Sequence, residues 1–421
     1  MARRLVINRL FGGDRVLWII FAFLSIFSLL VVYSSTASLA YAKYGGNTFH
    51  DLIFQLGCVG VGFLIVVFFH LIDIEDYNRF AKITFIISLI FMALIYVPGI
   101  GQKINGAYRW IKIPFTGLTF QPSDLLKISV VVLLAQQLAS RQKTIKTMKL
   151  LPSFWLKDWK DNREYNLKIL KENTFPILGP VILACGSILA FNFSTSALLF
   201  FTCLLMLIIG RVNFHEIFRM LFLGLIVLIL AVLLMKTVGV GRVSTWEKRL
   251  GIVKVDENER QQQLNNARSE YSQVAQARIA IASGGIVGKG PGNSTQRTHL
   301  PLPYSDFAYA FITEEYGLFG ATAVLIIYLW IFFRSILISR RCETAFPSLL
   351  VLGLGLTIII QAMTNMAVAV GLFPVTGQPL PIISKGGTSI MFMCMALGII
   401  IGISRQIEEK QKNSKNVESH T

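Results

Sequence analysis

The sequence predicts an all-α polytopic membrane protein with ten transmembrane helices, forming a single membrane domain over residues 1–421. Three observations predict this class. Of the 421 residues, 54% are hydrophobic and only 15% are charged, whereas soluble domains carry about a quarter charged residues. Apolar stretches of about 20 residues, long enough to cross a bilayer, recur along nearly the whole chain. No change in composition separates a soluble domain from the rest.

The predicted spans are runs of mainly apolar residues, joined in most places by short loops. The boundary between the fifth and sixth spans is placed at Asn192, where AFNFSTS is compatible with a tight turn between two spans or a kink within one. The ten predicted spans are residues 16–36, 51–72, 80–98, 122–140, 174–191, 194–210, 214–238, 308–336, 346–370 and 383–404.

Basic residues predict the side of the membrane on which each loop lies. Loop 141–173 carries nine Lys or Arg against four acids, and further positive charges lie near Arg79 and Lys82 and in the tail 405–421. Cytoplasmic loops are enriched in Lys and Arg. We therefore expect loop 141–173, the tail and both termini to be cytoplasmic, in a multi-pass protein of the cytoplasmic membrane.

Residues 239–307 are predicted to form a large extracytoplasmic loop between the seventh and eighth helices. The loop carries nine basic residues, which is permitted because loops longer than about 60 residues are largely exempt from the charge rule. These charges either form a solvated surface or meet a ligand or partner. Nucleic acid is not an expected partner, because no basic soluble domain with interleaved aromatic residues is present.

Ionisable residues within the spans are candidates for function, because charges at membrane depth usually pair or serve a site. Asp124 and Lys127 are three residues apart and so lie on one face of the fourth helix. They form either an ion pair that orients the helix or a site where the lysine meets a ligand's negative charge.

Three further acids stand at the start of the eighth span. Glu314 and Glu315 fall about two turns into it, and we expect them to be structural, paired with Lys127 or Arg109 across the bundle. Asp306 instead lies at the predicted membrane surface after LPLP. There it can stay ionised at little cost and face both water and lipid.

Two patterns that resemble ligand sites are weak. GGIVGKGPG, residues 284–292, is similar to a phosphate-binding loop but lacks Ser or Thr after Lys289 and is one residue short. Its backbone N–H groups are still candidates for approaching an anion. The five histidines lack the spacing of zinc ligands, so no metal site is expected.

Four long signatures closely resemble the SEDS family of bacterial cell-wall proteins, which includes FtsW, RodA and SpoVE. They occur in family order, and their forms are more similar to the division proteins FtsW than to the elongation proteins RodA. Two positions depart from the family: FNFSTS at 191–196 replaces the common QPDLG, and SKGGTS replaces SYGGSS, which introduces Lys385. The signatures are NGAYRWIKI (105–113), GLTFQPSDLLKI (117–128), ASGGIVGKGPGNSTQRTHLPLPYSDFAYAFITEEYG (282–317) and VAVGLFPVTGQPLPIISKGGTSI (368–390).

This resemblance implies a peptidoglycan glycosyltransferase that polymerises lipid II into glycan strands at the outer face of the cytoplasmic membrane during cell division. It implies as partners lipid II and the lipid-linked strand, a class B penicillin-binding protein (an FtsI-like transpeptidase) and other membrane proteins of the divisome. Carried onto this sequence, the family's essential acid falls on Asp306, and its charged cavity residues fall on Arg109, Asp124 and Lys127.

The substrate suggests how these residues divide the chemistry. Asp306 is the predicted general base in one inverting displacement, with undecaprenyl pyrophosphate leaving. Cations and the N–H groups of residues 288–292 are predicted to hold the pyrophosphate, and Mg²⁺ or Mn²⁺ is an optional companion of that group. The predicted substrate-binding residues are Arg109, Asp124, Lys127, Arg249, Gln296, Lys385 and Ser389.

Two other classes of function stay open: a lipid II flippase and a non-catalytic divisome scaffold. Transporter sites gather near the bilayer midplane, whereas Asp306 is predicted at the external surface and the large basic loop lies on one side only. These features favour the enzyme. In a scaffold, Asp306 would only bond the loop to the helix.

Overall fold

The fold is mostly helical. The computed structural model describes residues 11–43, 49–104, 107–112, 119–146, 149–152, 162–189, 191–238, 270–296 and 306–418. Arg249 and most of the predicted extracytoplasmic loop lie outside these ranges. A π-helical turn, Leu170–Thr174, joins two of the α-helices. The α-helices are Arg15–Lys43, Phe49–Leu71, Ile74–Leu94, Pro122–Ala139, Arg163–Ile169, Phe175–Leu189, Phe193–Ile209, Phe214–Val238, Glu270–Gly284, Ala308–Arg340, Ala345–Ala369 and Gly387–Glu418.

The helices confirm a polytopic membrane fold. In the described part of the chain, eight helical segments are long and apolar enough to span a membrane, one of them the continuous run Arg163–Leu189. Phe193–Ile209 is a shorter apolar helix. The Phe49–Leu71 helix shows why: one face is buried, while apolar side chains such as Leu64 and Phe68 are exposed on the other. Apolar exposure of this kind suits lipid contact. Each predicted span coincides with a helix, although the count of ten crossings stays a prediction.

Asn192 ends one helix and begins the next. The helices Phe175–Leu189 and Phe193–Ile209 are separate, and the Asn192 side-chain oxygen accepts a hydrogen bond from Thr195 N at 3.3 Å. Asn is a favoured N-cap because its side chain satisfies a backbone donor of the first turn. Of the two alternatives left open at AFNFSTS, the turn is confirmed.

A small antiparallel sheet departs from the all-α prediction, which is wrong in this part. Its strands are Gly101–Ile104, Ala107–Lys112 and Thr119–Phe120, in that order across the sheet. The sequence carried a signal for it, because Asn105 and Gly106 separate the first two strands and Asn-Gly is strongly favoured between hairpin strands.

The described contacts group into two compact units. The first comprises Met1–Asp73, Trp246–Leu337 and Ile358–Thr421, and the second comprises Ile74–Thr245 and Ile338–Thr357. The candidate site residues divide between them. The acids of the eighth span and the residues near Lys385 belong to the first unit, and the Asp124–Lys127 pair and Arg109 belong to the second.

Within the first unit, the last helix packs closely on Phe49–Leu71 through two glycines. A Cβ added at Gly398 would lie 2.7 Å from the Val66 carbonyl oxygen, and one at Gly402 would lie 2.8 Å from that of His70. Small residues four apart let two membrane helices approach this closely.

Gly402→Leu is expected to lower the thermal stability of the protein in detergent, because overpacking a close contact costs about 1–3 kcal/mol. Gly60→Leu is the matched control, since a Cβ at Gly60 meets nothing within 4 Å. Thermal unfolding of both variants checks the prediction. Equal melting temperatures would argue against this helix contact.

Candidate active site

The helix Ala308–Arg340 is broken at Gly317, and the glycine-rich segment 284–292 packs into the break. Gly317 has φ 66° and ψ −165°, in the region that favours glycine. A Cβ there would lie 2.3 Å from the carbonyl oxygen of Ile286. Beyond the break, Leu318 N donates to the Gly285 carbonyl at 3.0 Å. Only glycine permits this loop and helix to meet so closely.

The N–H groups of the loop are taken by acceptors of the protein itself. Lys289 N donates to the Glu314 carbonyl at 3.0 Å, and Gly290 N donates to the Glu315 carbonyl at 2.9 Å. Gly292 N donates to a carboxylate oxygen of Glu315 at 2.9 Å. The expectation that these groups hold pyrophosphate is therefore wrong. A helix end leaves carbonyls without intrahelical donors, and the loop supplies those donors.

Glu314 is the buried centre of this contact, with 0% of its surface exposed. One carboxylate oxygen accepts from Lys289 Nζ at 2.6 Å, and from the backbone N and Oγ1 of Thr295 at 3.0 Å and 2.8 Å. The other accepts a hydrogen bond from Ser294 Oγ. A buried carboxylate is tolerated only when it is paired and hydrogen-bonded in this way. The Glu314 carboxylate is thus held by the Lys289 side chain and by residues 294–296, which follow the glycine-rich segment.

The expectation that Glu314 pairs with Lys127 or Arg109 is wrong, because its counter-ion is Lys289. Gln296, a predicted substrate residue, joins the same cluster through its backbone N–H, 3.4 Å from the Glu314 carboxylate. Local spacing could not reveal this partner, since Lys289 lies 25 residues before Glu314 in the sequence.

Glu315 points to a different neighbour. Its carboxylate accepts hydrogen bonds from Ser34 Oγ, on the Arg15–Lys43 helix, and from Gly292 N. Adjacent helical residues point about 100° apart. Glu314 therefore binds side chains and N–H groups of segment 289–296, whereas Glu315 links this segment to the Arg15–Lys43 helix.

Asp306, the predicted base, is partly buried and lies just before the Ala308–Arg340 helix. Its carbonyl accepts a hydrogen bond from Asn365 Nδ2 at 2.9 Å, and the same amide donates to the Gln378 carbonyl at 2.8 Å. The positive end of a helix dipole favours a carboxylate at this position. Asn365 was missed by the sequence reasoning, although a polar residue inside the ninth predicted span was a signal.

Lys385 forms an ion pair with Asp51, with Nζ 2.6 Å from a carboxylate oxygen. The ammonium also lies 5.9 Å from the ring centroid of Phe54. Its contact with a substrate phosphate stays a prediction, as does the role of Ser389, which is buried. Asp51 was not singled out from the sequence, although an acid at the start of the second span was visible there.

In the second unit, Asp124 and Lys127 form a buried ion pair at 2.8 Å. Their residues are 3% and 5% exposed. Arg109 donates from Nη2 to the Phe191 carbonyl at 3.2 Å, and its strand contacts the helix Pro122–Ala139 that carries the pair. The three charged residues carried over from the family thus lie on two elements in contact. The ion pair is confirmed, and a role for the lysine in binding a ligand stays a prediction.

No group of three or more His, Cys, Asp or Glu side chains comes together to hold a metal ion within the described ranges. Mg²⁺ or Mn²⁺ as a companion of the substrate pyrophosphate stays a prediction.

Comparison with known proteins identifies the family. Residues 14–409 match the family model for FtsW, RodA and SpoVE, described as cell cycle proteins. The chain belongs to the FtsW/RodA/SpoVE family. It is 28% identical over 400 residues to stage V sporulation protein E of Bacillus subtilis (strain 168), covering 93% of this chain and 97% of that protein. It is 27% identical over 404 residues to the probable peptidoglycan glycosyltransferase FtsW of Trichlorobacter lovleyi, covering 94% of each.

Solved structures share the fold of this family member. One belongs to the study titled "Structural coordination of polymerization and crosslinking by a peptidoglycan synthase complex", with a TM-score of 0.64 at 21% identity, covering 94% of this chain and 98% of that one. The rod shape determining protein RodA of Thermus thermophilus matches with a TM-score of 0.59 at 18% identity, covering 93% and 97%. These similarities extend the polytopic helical fold to nearly the whole chain.

Proposed function

We propose that this family member is a peptidoglycan glycosyltransferase that polymerises lipid II at the outer face of the cytoplasmic membrane during cell division. The observation that carries the proposal is the match along nearly the full chain to relatives named probable peptidoglycan glycosyltransferase FtsW, at 27% and 28% identity. The position of Asp306 supports it, because that acid is partly buried and its backbone is held by Asn365.

Asp306 is the proposed general base. Its carboxylate takes the proton of the acceptor sugar's hydroxyl while that oxygen forms a bond to the anomeric carbon of the donor. The bond from this carbon to the pyrophosphate oxygen breaks, and undecaprenyl pyrophosphate leaves with the electron pair. Hydrolytic glycosidases need a second carboxylic acid for a poor leaving group. Pyrophosphate leaves as an anion, so cations replace that acid, and the single displacement inverts the anomeric centre.

Arg109 and Lys127 are the proposed cations for the pyrophosphate, with Arg249 as a third candidate outside the described residues. Arginine grips phosphate through two parallel hydrogen bonds, whereas lysine acts as a point charge. The Asp124 carboxylate forms an ion pair with Lys127, 2.8 Å from its Nζ.

Arg109→Ala is expected to weaken donor binding, because a hydrogen bond to a charged group contributes about 1.5–3 kcal/mol, or about 10- to 150-fold in Kd. The Asp124→Asn, Lys127→Met double variant should show a similar loss without leaving a buried carboxylate unpaired. Lys143→Ala, an exposed lysine, is the control. Binding of a labelled lipid substrate in detergent measures the effect. Unchanged affinity in both test variants would refute the cation assignment.

The activity is tested with purified full-length protein, labelled lipid II and detergent, with and without the partner transpeptidase. Penicillin is added so that uncrosslinked strands can be resolved on a gel. Glycan strands are the expected product. Transbilayer movement of lipid II in vesicles, without strand formation, would indicate a flippase. The absence of both strand formation and movement would indicate a scaffold. The partner proposed for this assay is a class B penicillin-binding protein, alongside other divisome membrane proteins.

A further inference from the structure

A polar cavity of about 580 Å³ opens at one end of the second compact unit. It lies between the first turns of Ile74–Leu94, the last turn of Pro122–Ala139 and the start of Ala345–Ala369. None of its residues belongs to the candidate active site. Its polar lining residues include Asn78, Lys82, Gln136, Arg141 and Thr344.

The cavity lies at the boundary between apolar helix surface and polar loop. Beyond Lys82 its helix contains no charged residue up to Leu94, and Ile83, Ile86 and Ile90 are more than half exposed. A lysine at such a boundary places its ammonium at the level of the lipid headgroups. The cavity is therefore positioned to receive a headgroup whose acyl chains lie along the exposed isoleucines.

Positive charge converges on the cavity from three elements. Lys82 contributes an exposed ammonium. Arg141 is held in place by bonds from Nη2 to the Glu172 carbonyl at 2.9 Å and from Nη1 to Gln137 Oε1 at 2.7 Å. Burial lowers the pKa of the Arg141 guanidinium from its usual value, and the nearby charge of Glu172 opposes that shift. An anion in the cavity would likewise favour the charged guanidinium.

The third element is the start of the Ala345–Ala369 helix. Thr344 precedes its first residue and lines the cavity. The first N–H groups of a helix lack intrahelical acceptors, and the helix dipole adds partial positive charge there. The neighbouring acid, Glu343, is exposed and does not line the cavity.

Gln136, which lines the cavity, also carries an acceptor without a donor. Gln136 Oε1 is buried and accepts no hydrogen bond from any described residue. The Nε2 of the same amide already donates to the Asn78 carbonyl. A buried acceptor without a donor is unfavourable, because the hydrogen bonds it made to water are not replaced. A ligand hydroxyl would supply that donor, so the cavity combines a site for an anion with a site for a hydroxyl group.

We propose that this cavity binds the headgroup of an anionic phospholipid. The phosphodiester meets Lys82, Arg141 and the helix start, and a headgroup hydroxyl donates to Gln136 Oε1. Phosphatidylglycerol carries both groups, whereas phosphatidylethanolamine has no net charge and inorganic phosphate has no acyl chains. On the predicted topology the lipid belongs to the cytoplasmic leaflet, whose negative lipids attract basic segments next to membrane helices.

The test measures lipid binding with full-length protein in detergent, by native mass spectrometry and by the shift in Tm. Phosphatidylglycerol is expected to form a specific adduct and to raise the Tm in a concentration-dependent manner. The Lys82→Gln, Arg141→Gln double variant should bind at least tenfold more weakly. Lys143→Gln with Lys146→Gln removes the same charge from exposed positions outside the cavity, and should bind like the unaltered protein.

Three results would contradict the binding of an anionic phospholipid in this cavity. Equal phosphatidylglycerol binding by the double variant and the unaltered protein would overturn the proposal. An equal Tm shift with inorganic phosphate would show that the cavity binds a free anion and not a lipid. An equal Tm shift with phosphatidylethanolamine would show that the net charge of the headgroup is not recognised. If the double variant does not fold, Lys82→Gln alone removes an exposed ammonium and should still weaken binding. None of these readouts depends on glycosyltransferase activity.

Discussion

Asp306→Asn is expected to abolish glycan polymerisation while leaving the fold and lipid binding intact. General base catalysis typically contributes about 10²- to 10⁴-fold to a rate, so residual activity should be about 1% or less. Asparagine has nearly the same shape but cannot take a proton from the attacking hydroxyl. One contact that holds this segment uses the backbone carbonyl, 2.9 Å from Asn365 Nδ2, and so survives the substitution.

The measurement compares initial rates of strand formation from lipid II for the variant and the unaltered protein. Glu343→Gln neutralises an exposed acid outside the candidate site and should retain normal rates. Melting temperatures and substrate binding of Asp306→Asn should also be unchanged. Full polymerase activity of this variant would reject Asp306 as the base.

Glu314→Ala is expected to cause a large loss of stability, because each buried donor left without an acceptor costs about 1–3 kcal/mol. The substitution leaves Lys289 Nζ without its carboxylate at 2.6 Å. It also removes the acceptor of Thr295 N and of the Ser294 hydroxyl. Segment 284–296 should then detach from the helix and become accessible to proteases.

Thermal unfolding and limited proteolysis in detergent check this result. Glu314→Gln keeps the shape and one acceptor oxygen of the side chain. Its melting temperature should therefore lie between those of Glu314→Ala and the unaltered protein. Glu343→Ala removes an exposed carboxylate and should change neither measurement. A melting temperature for Glu314→Ala equal to that of the control would contradict a structural role for this carboxylate.

A substitution at Glu314 is also expected to affect activity, because a short segment of chain connects the Glu314 contacts to Asp306. Segment 297–305 joins two anchored points: Gln296, whose N–H contacts the Glu314 carboxylate, and Asp306, whose carbonyl accepts from Asn365. We therefore expect Glu314→Ala to reduce polymerisation as well, through the position of the loop. We propose that Glu314 is a positioning residue, distinct from the proposed base.

Several features were readable from the sequence because they depend on neighbouring residues. A membrane span is recognised by the length of an apolar run, which bilayer thickness sets. Each predicted span accordingly coincides with a helix. The turn at Asn192 follows from one side chain that bonds three residues ahead. The family motifs, which are also local, led to Asp306, Arg109, Asp124 and Lys127.

Other features depend on residues far apart in the chain. The counter-ion of Glu314 lies 25 residues away and that of Lys385 lies 334 residues away. Neither separation has a period that sequence patterns can detect. The hydrogen-bond partners of the N–H groups in residues 288–292 also depend on a distant feature, the break at Gly317 in the Ala308–Arg340 helix.

Local sequence was therefore sufficient to predict the membrane helices and to name the acid proposed for the chemistry. The tertiary structure decided which charges neutralise one another. It also directed the N–H groups of a loop similar to a phosphate site to acceptors of Glu314 and Glu315. The physical reason is that apolar burial in lipid is additive along a helix. The pairing of buried charges instead depends on geometry that distant segments create together.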